Sequence, residues 1–176
     1  MRKFLVSAMF TLVAFAGAGV ANAQTATQDI NISATVASYC TINNLTTGTV
    51  INATIPVTNG VVTTTPISNT VASIACNNVA DVVATSQSGG VTTGSAAPTG
   101  TTNTINYTGA ATFDGVTSTI NTATIAGIGA SEAGNTATTA SAATGNLVVS
   151  ITPAQPALPL APASYSDVLR VTMTAH

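Results

Sequence analysis

Charged side chains are scarce in this sequence. Asp, Glu, Lys and Arg make up 5% of its 176 residues, whereas about a quarter is usual in a globular protein. The basic residues are Arg2, Lys3 and Arg170. Nucleic-acid phosphates and anionic lipid headgroups both require clusters of Lys and Arg. The sequence therefore excludes electrostatic binding to either class of partner.

Groups that carry catalysis or bind metals are equally few. The one histidine is His176, so a serine or cysteine nucleophile has no base nearby in the sequence. The Gly-rich stretch Ser88-Gly89-Gly90 lacks the lysine of a phosphate-binding loop. The acidic residues are also scattered along the chain: Asp29, Asp81, Asp114, Glu132 and Asp167. We therefore expect that the protein is not an enzyme, that it has no catalytic residues, and that it binds neither a metal nor a cofactor.

The N-terminal residues have the features of a secretory signal peptide. Two basic residues precede an apolar run over residues 4–20, and Ala21-Asn22-Ala23 supplies the small side chains of a cleavage site. We expect residues 1–23 to be removed and the mature chain to begin at Gln24. That chain carries one arginine against five acidic residues, a net charge of −4. No later segment reaches the ~20 apolar residues of a membrane helix, so we expect no insertion into the membrane after cleavage.

The two cysteines, Cys40 and Cys76, fit a structural disulfide. An even count in a secreted protein favours a disulfide. A metal site would need further thiol or imidazole ligands, and a catalytic thiol would need a histidine base. Closing a loop of this length should stabilise the fold by ~4 kcal/mol in the chain-entropy interpretation.

The mature sequence favours strands and turns over helices, because Thr, Val, Gly and Asn dominate it. Four prolines over residues 153–162 predict an extended crossover outside any strand ladder. Residues 89–100 are predicted to form a loop, and the sequence of residues 128–145 predicts neither helix nor strand. Many short strands between turn signals predict an all-β sandwich. The predicted strands span residues 28–40, 49–57, 60–67, 70–76, 79–86, 105–113, 116–125, 146–152 and 166–175.

An alternating segment stands near the start of the mature chain, where a polar tail is more usual. Its apolar side chains are Ile30, Ile32, Ala34 and Val36. One interpretation makes it the first strand of its own sheet. The other makes it a strand that leaves the subunit and fills a groove in a neighbour.

The C-terminal part resembles a known family. A Pro-rich crossover precedes Tyr165-Ser166-Asp167 and a terminal alternating strand, which is similar to the C-terminal signature of the spore coat protein U domain. That domain is the fold of archaic chaperone–usher pilins. A signal peptide, an alternating strand and two cysteines in the N-terminal half agree with it.

The resemblance implies an immunoglobulin-like β-sandwich that lacks its final strand and is completed by donor-strand exchange. A periplasmic chaperone would first fill the groove. At the outer-membrane usher, the N-terminal strand of the next subunit would then replace the chaperone. Residues 24–36 would be this donor strand, and residues 37–176 would form the pilin domain. The donor side chains would be Ile30, Ile32, Ala34 and Val36.

The same resemblance assigns Tyr165 and Asp167 a structural role in fixing the start of the terminal strand. It implies a pilus subunit at the cell surface, joined to copies of itself or to sister pilins, that serves adhesion and biofilm formation. A non-polymerising spore-coat or envelope protein of the same fold is the alternative. The middle of the chain departs from the family pattern, since it lacks Trp and only Ile105-Asn106-Tyr107 echoes a Tyr-rich strand. The position of the subunit in a fibre therefore stays open.

Overall fold

The computed structural model describes residues 31–42, 53–125 and 129–176. The chain divides into two units, Met1–Thr35 and Val36–His176. In the first unit, the described residues 31–35 are exposed and form neither helix nor strand. The predicted signal peptide, Ile30 and most of the predicted strand 49–57 lie outside the described residues.

The second unit is built from strands, which confirms the prediction of an all-β fold. Within the described ranges there is no helix long and apolar enough to cross a bilayer. A 3-10 helix occupies Thr122–Thr124. The strands are β1 (Cys40–Ile42), β2 (Val57–Thr58), β3 (Val61–Val62), β4 (Ile67–Cys76), β5 (Ala80–Ser86), β6 (Val91–Thr92), β7 (Thr104–Ile105), β8 (Tyr107–Phe113), β9 (Val116–Asn121), β10 (Glu132–Ala133), β11 (Ala137–Thr138), β12 (Ala143–Pro153) and β13 (Leu169–Ala175).

Two antiparallel sheets share one apolar core. The first sheet has the strand order β1-β4-β12-β8-β9, and in the second β5 pairs with β10 and β11 on one side and with β13 on the other. Two short hairpins, β2–β3 and β6–β7, lie outside both sheets. The buried core side chains come from both sheets, with Ile74, Phe113 and Leu147 from the first and Val82 and Ala84 from the second.

The local sequence explains these strands. Side chains along β5 and β8 alternate between buried and partly exposed, as period-2 patterning requires when one face of a strand covers a core. Asp114 and Gly115 join β8 to β9 with positive φ angles of 48° and 76°. Asp-Gly is a preferred pair for the type I′ turn, whose twist matches the flanking strands.

The predicted disulfide is confirmed. Cys40 and Cys76 are bonded, with their Cα atoms 4.1 Å apart, and they face each other in the register of β1 and β4. The bond therefore fixes the first strand of the unit to the long strand β4.

The predicted strands agree with the structure at 70–76, 79–86, 105–113, 146–152 and 166–175, with shifts at their ends. The unassigned stretch 128–145 supplies β10, β11 and the start of β12.

Other predictions were wrong in part. Residues 31–39 of the predicted strand 28–40 form no strand, because alternation alone supplies no partner strand. The predicted strand 60–67 is divided between β3 and the start of β4, and the predicted strand 116–125 ends at Asn121, where the 3-10 helix follows. The predicted loop 89–100 contains the short strand β6. Pro153 lies within β12, paired in register with Tyr107, because a proline at the last position of a strand removes few ladder hydrogen bonds.

Candidate assembly site

Strand β13 lies at an open edge of the second sheet. It pairs antiparallel with β5 over its whole length, and no other strand of the described residues pairs with it. An edge strand presents unpaired N–H and C=O groups, which can template pairing with another chain.

The inward side chains of β13 are apolar but only half-buried. Leu169, Val171 and Met173 all pack against the core, yet each keeps part of its surface exposed. Their register partners on β5 include Ala84 and Val82, which are fully buried. The difference follows from position, because β5 has a neighbour on each side and β13 has one.

The opposite wall of this open edge comes from the first sheet. Strand β1 is the edge strand there and lies near β13, and its Cys40 and Ile42 are likewise half-buried against the core. Leu169 at the other end of β13 covers Gly109, where an added Cβ would lie 3.1 Å from the nearest Leu169 methyl group. We call the half-buried apolar side chains on the inner faces of β13 and β1 the edge groove: Ile42, Leu169, Val171 and Met173.

Asp167 fixes the start of β13 through its carboxylate. One oxygen accepts hydrogen bonds from the hydroxyls of Ser86 (2.7 Å) and Tyr107 (2.6 Å). The other accepts from the backbone N–H groups of Ser88 (2.9 Å) and Val168 (2.7 Å). The carboxylate thus ties the residues before β13 to the end of β5 and to the start of β8.

Tyr107 is suited to this network because it stays protonated. The ring is 2% exposed, and burial, followed by the hydrogen bond to Asp167, raises the pKa of Tyr107 above its ordinary value. The phenol therefore remains a donor across the physiological range. Ser86 extends the network, since its oxygen accepts from the N–H groups of Gly89 and Gly90.

Tyr165 holds the Pro-rich crossover. Its hydroxyl donates to the carbonyl oxygens of Ala161 (2.8 Å) and Thr102 (3.1 Å), in a shared hydrogen bond. Thr102 also accepts from the N–H of Ala161 (2.8 Å). The Tyr165 side chain therefore links two parts of the crossover to each other and to the β6–β7 loop. Contacts of this type are expected of a residue with a structural role.

The predicted donor residues are on the surface where the structure describes them. Ile32 is 92% exposed and Val36 is 77% exposed, and Ala34 is exposed as well. Both are among the large apolar side chains that the structure leaves exposed. The next residues are held in place, because Asn77 binds the backbone of Ala37 and Tyr39.

The far end of β13 is also held. The carbonyl of His176 accepts from the hydroxyl of Ser38 (2.6 Å) and from the side-chain amide of Asn78. The imidazole of His176 lies 2.8 Å from a carboxylate oxygen of Asp81, and the Thr138 hydroxyl donates to the other oxygen (2.6 Å). Ser38 therefore marks the point where the N-terminal segment meets the end of β13.

Of the residues singled out from the sequence, Asp167 and Tyr165 lie just before β13, and Cys40 lies on the facing strand β1. Sequence reasoning missed Ser86 and Tyr107 as partners of Asp167, although Tyr107 stands in the one Tyr-containing echo of the family. It also missed the edge groove, since exposure cannot be read from alternation. Among the described side chains, no three His, Cys, Asp or Glu residues lie together as metal ligands would.

Comparison with known proteins adds no assignment. The chain matches no family model, no curated protein and no solved structure.

Replacing Asp167 with Ala should lower the free energy of unfolding by about 2–4 kcal/mol. The change leaves the hydroxyls of Ser86 and Tyr107 without their acceptor, and unsatisfied buried donors are costly. Asn should rescue only part of the loss, because an amide has one acceptor oxygen and can no longer accept from both pairs of donors. Urea unfolding measures the effect. The variant Tyr107→Phe should lower the free energy of unfolding by about 1–3 kcal/mol. Equal stability of Asp167→Ala and wild type would contradict this role.

Stability should fall in acid through Asp81. Its pKa lies below the ordinary value of 3.8, first because of the Thr138 hydroxyl and then because of His176. A carboxylate whose pKa is lowered by folding stabilises the protein fully above its unfolded pKa, and the contribution is lost as pH falls through the folded pKa. Urea midpoints from about pH 6 to about pH 2 should drop less for Asp81→Asn than for wild type. Asp114→Asn, at the exposed tip of the β8–β9 turn, is the control and should follow wild type.

Proposed function

We propose that this chain is a structural subunit of a secreted bacterial surface fibre. The fibre would be an archaic chaperone–usher pilus, built from subunits of the spore coat protein U type by donor-strand complementation. One observation carries the proposal: the chain combines an edge strand, whose inner apolar face is half-buried, with an alternating N-terminal segment whose described apolar side chains are exposed. Adhesion and biofilm formation are the functions that such a fibre serves.

The edge groove is the acceptor in this proposal. An immunoglobulin-like sandwich without its last strand would leave an open edge of this kind, with apolar side chains lacking their final cover. Leu169, Val171 and Met173 lie along that edge. A strand added beside β13 would pair with its free main-chain groups and would cover these side chains.

The N-terminal segment is the donor. Its apolar residues, Ile30, Ile32, Ala34 and Val36, share one face of an extended strand because side chains alternate. Burying a large apolar side chain contributes ~1.5–3 kcal/mol. The two isoleucines and the valine therefore contribute ~5–9 kcal/mol before the entropy of ordering is subtracted.

The direction of the strands favours a donor from a second molecule. The N-terminal segment ends at Ser38, which contacts His176 beyond the C-terminal end of β13. A segment laid back from Ser38 along its own β13 would run parallel to that strand. Every pair of strands in the described residues is antiparallel, and parallel pairs are slightly less stable. A neighbour's segment has no such tether and can insert antiparallel.

The edge of β13 also explains why an unassembled subunit would need a chaperone. An exposed strand edge beside apolar side chains is an aggregation hazard, so an unassembled subunit requires cover. In the proposal a periplasmic chaperone supplies it, and the outer-membrane usher is the place where the donor strand of the next subunit replaces the chaperone.

Changing Ile32 to Asp should abolish polymerisation while leaving the subunit folded. The carboxylate would be buried without a partner in the neighbour's groove, which is strongly unfavourable, whereas Ile32 is 92% exposed in the single chain. Ser33→Asp is the matched control, because the adjacent side chain points to the opposite face of the strand. Electron microscopy of cells should show fibres for Ser33→Asp and none for Ile32→Asp or for a chain lacking residues 24–36. Normal fibres from the deletion would rule out the donor role, whereas absence of fibres from cells with the wild-type chain would favour a non-polymerising envelope protein.

Joining the donor to the acceptor in one chain should give a stable monomer. The chain would lack residues 24–36 at its start and carry residues 28–36 after His176, joined by a short Asn-Gly turn that lets them run antiparallel to β13. Its free energy of unfolding should exceed that of the chain lacking the segment, because main-chain hydrogen bonds to β13 add to ~5–9 kcal/mol of apolar burial and together outweigh the ordering cost. The control fusion carries Ile32→Asp. Equal stability of the two fusions, measured by urea unfolding, would contradict the assignment of the groove.

A further inference from the structure

The tip of the β2–β3 hairpin is formed by an asparagine followed by a glycine. Asn59-Gly60 is the one Asn-Gly pair in the sequence, and its φ angles of 50° and 80° are positive, as a type I′ turn requires at both central residues. Both residues are exposed. Apart from the chain neighbours of Gly60, no heavy atom lies within 4 Å of the position that a Cβ on this residue would occupy. The turn is therefore open to water.

An asparagine that precedes glycine can lose its side-chain amide without an enzyme. The backbone nitrogen of Gly60 attacks Cγ of Asn59, so that an N–Cγ bond forms and the Cγ–Nδ2 bond breaks. Ammonia leaves with the proton of the Gly60 N–H, and a five-membered cyclic imide remains. Water then opens the ring at either carbonyl, which yields aspartate or isoaspartate. Glycine favours the attack, because it has no Cβ to hinder the nitrogen and its backbone is conformationally permissive.

The turn must open before the ring can close, because the imide holds the backbone of Asn59 outside the left-handed region. Two residue pairs hold the hairpin, Val57 with Val62 and Thr58 with Val61, and the hairpin lies outside both main sheets. A two-stranded hairpin is only marginally stable without further strands. Local opening of such an element costs little free energy.

The domain holds the base of this hairpin and leaves its tip free. Val62 is 3% exposed, and its N–H donates to Oε1 of Gln155 (2.7 Å). The N–H of Thr63 donates to the carbonyl oxygen of Pro56 (2.9 Å). Val61, beside the turn, is instead 61% exposed. The turn can therefore open while the base of the hairpin stays in place.

A second turn with the same backbone shape provides a comparison. Asp114-Gly115 joins β8 to β9, also with positive φ angles, but six residue pairs hold that hairpin. Phe113, beside the turn, is 1% exposed and belongs to the core. Opening the β8–β9 turn disturbs that packing, so it occurs less often than opening of the β2–β3 turn.

We propose that Asn59 is a site of spontaneous deamidation and that the short β2–β3 hairpin makes it reactive in the folded protein. The new carboxylate changes the net charge of the predicted mature chain from −4 to −5. Isoaspartate also adds a methylene to the main chain of the two-residue turn, which removes the pairing of Thr58 with Val61. The modification needs neither an enzyme nor a partner, so it proceeds whether or not the chain polymerises.

The test follows the folded mature chain in heavy-oxygen water at neutral pH. Pepsin in acid then releases the peptides, because the predicted mature chain offers trypsin only Arg170. Mass spectrometry should show that the peptide containing position 59 has exchanged its amide for a carboxyl group that carries heavy oxygen. Isoaspartyl methyltransferase should label the same peptide. The reaction should slow in mild acid, since attack requires the Gly60 nitrogen to lose its proton.

The matched control is Asp114→Asn, which places a second Asn-Gly pair in the longer hairpin of the same chain. Position 59 should deamidate at least about tenfold faster than position 114, because opening the longer hairpin raises the barrier. Asn59→Gln keeps an amide at the turn but would have to form a six-membered ring, so it should remain unlabelled over the same time.

Two outcomes would overturn the proposal. Absence of label at position 59 of the folded chain would refute the site, and reaction of a free peptide of residues 55–64 would then identify protection by the hairpin as the cause. Equal rates at positions 59 and 114 would show that the Asn-Gly sequence alone sets the reaction, without any contribution from the length of the hairpin.

Discussion

The inward side chains of an edge strand are covered by a neighbouring strand on one side only, and β13 is such a strand. Its register partners on β5 are fully buried, whereas Leu169, Val171 and Met173 stay half-exposed against the same core. The unpaired main-chain groups of β13 and the exposed parts of its inward apolar side chains thus lie at the same edge. Only another strand satisfies both at once, because it supplies hydrogen-bond partners and alternating side chains together. Tyr165 and Asp167 lie just before this edge strand, and Cys40 lies on the nearby strand β1.

The disulfide and Asn77 fix the chain just before β1. Cys40 is bonded to Cys76 on β4, and Asn77 binds the backbone on both sides of Ser38. These contacts fix the chain from Ala37 onward, close to the end of β13. The side chains of Ile32, Ala34 and Val36 are exposed, so in the proposed fibre a donor segment could leave without loosening the sheets.

The sequence predicted the all-β class, the disulfide and most long strands, since alternation and turn residues act locally. Asp114-Gly115 dictates its hairpin whatever surrounds it. The partners of Asp167 were not predictable, because Ser86 and Tyr107 are distant in sequence and meet it only through the sheet order. The strands within residues 128–145 were not predictable for a related reason. Strands β10 and β11 are two residues long, and their positions depend on pairing with β5. Gly134 is required because its Cα lies against the backbone of Thr119.

The polar contacts at the two ends of β13 bear on how a donor strand would bind. Asp167 ties the residues before the strand to β5 and β8, and Ser38 and Asn78 hold the carbonyl of His176 at its end. The strand is therefore fixed in register on β5 before any partner arrives, although its inner face is incompletely covered. Pre-organisation of one partner reduces the ordering cost of binding. In the proposed fibre that cost falls on the incoming segment, whose nine or so residues each lose about 1–2 kcal/mol of backbone entropy. Its apolar burial alone does not offset this loss, so the main-chain hydrogen bonds offered by the edge of β13 are needed as well. A rigid acceptor edge is thus as necessary to assembly as the isoleucines of the donor.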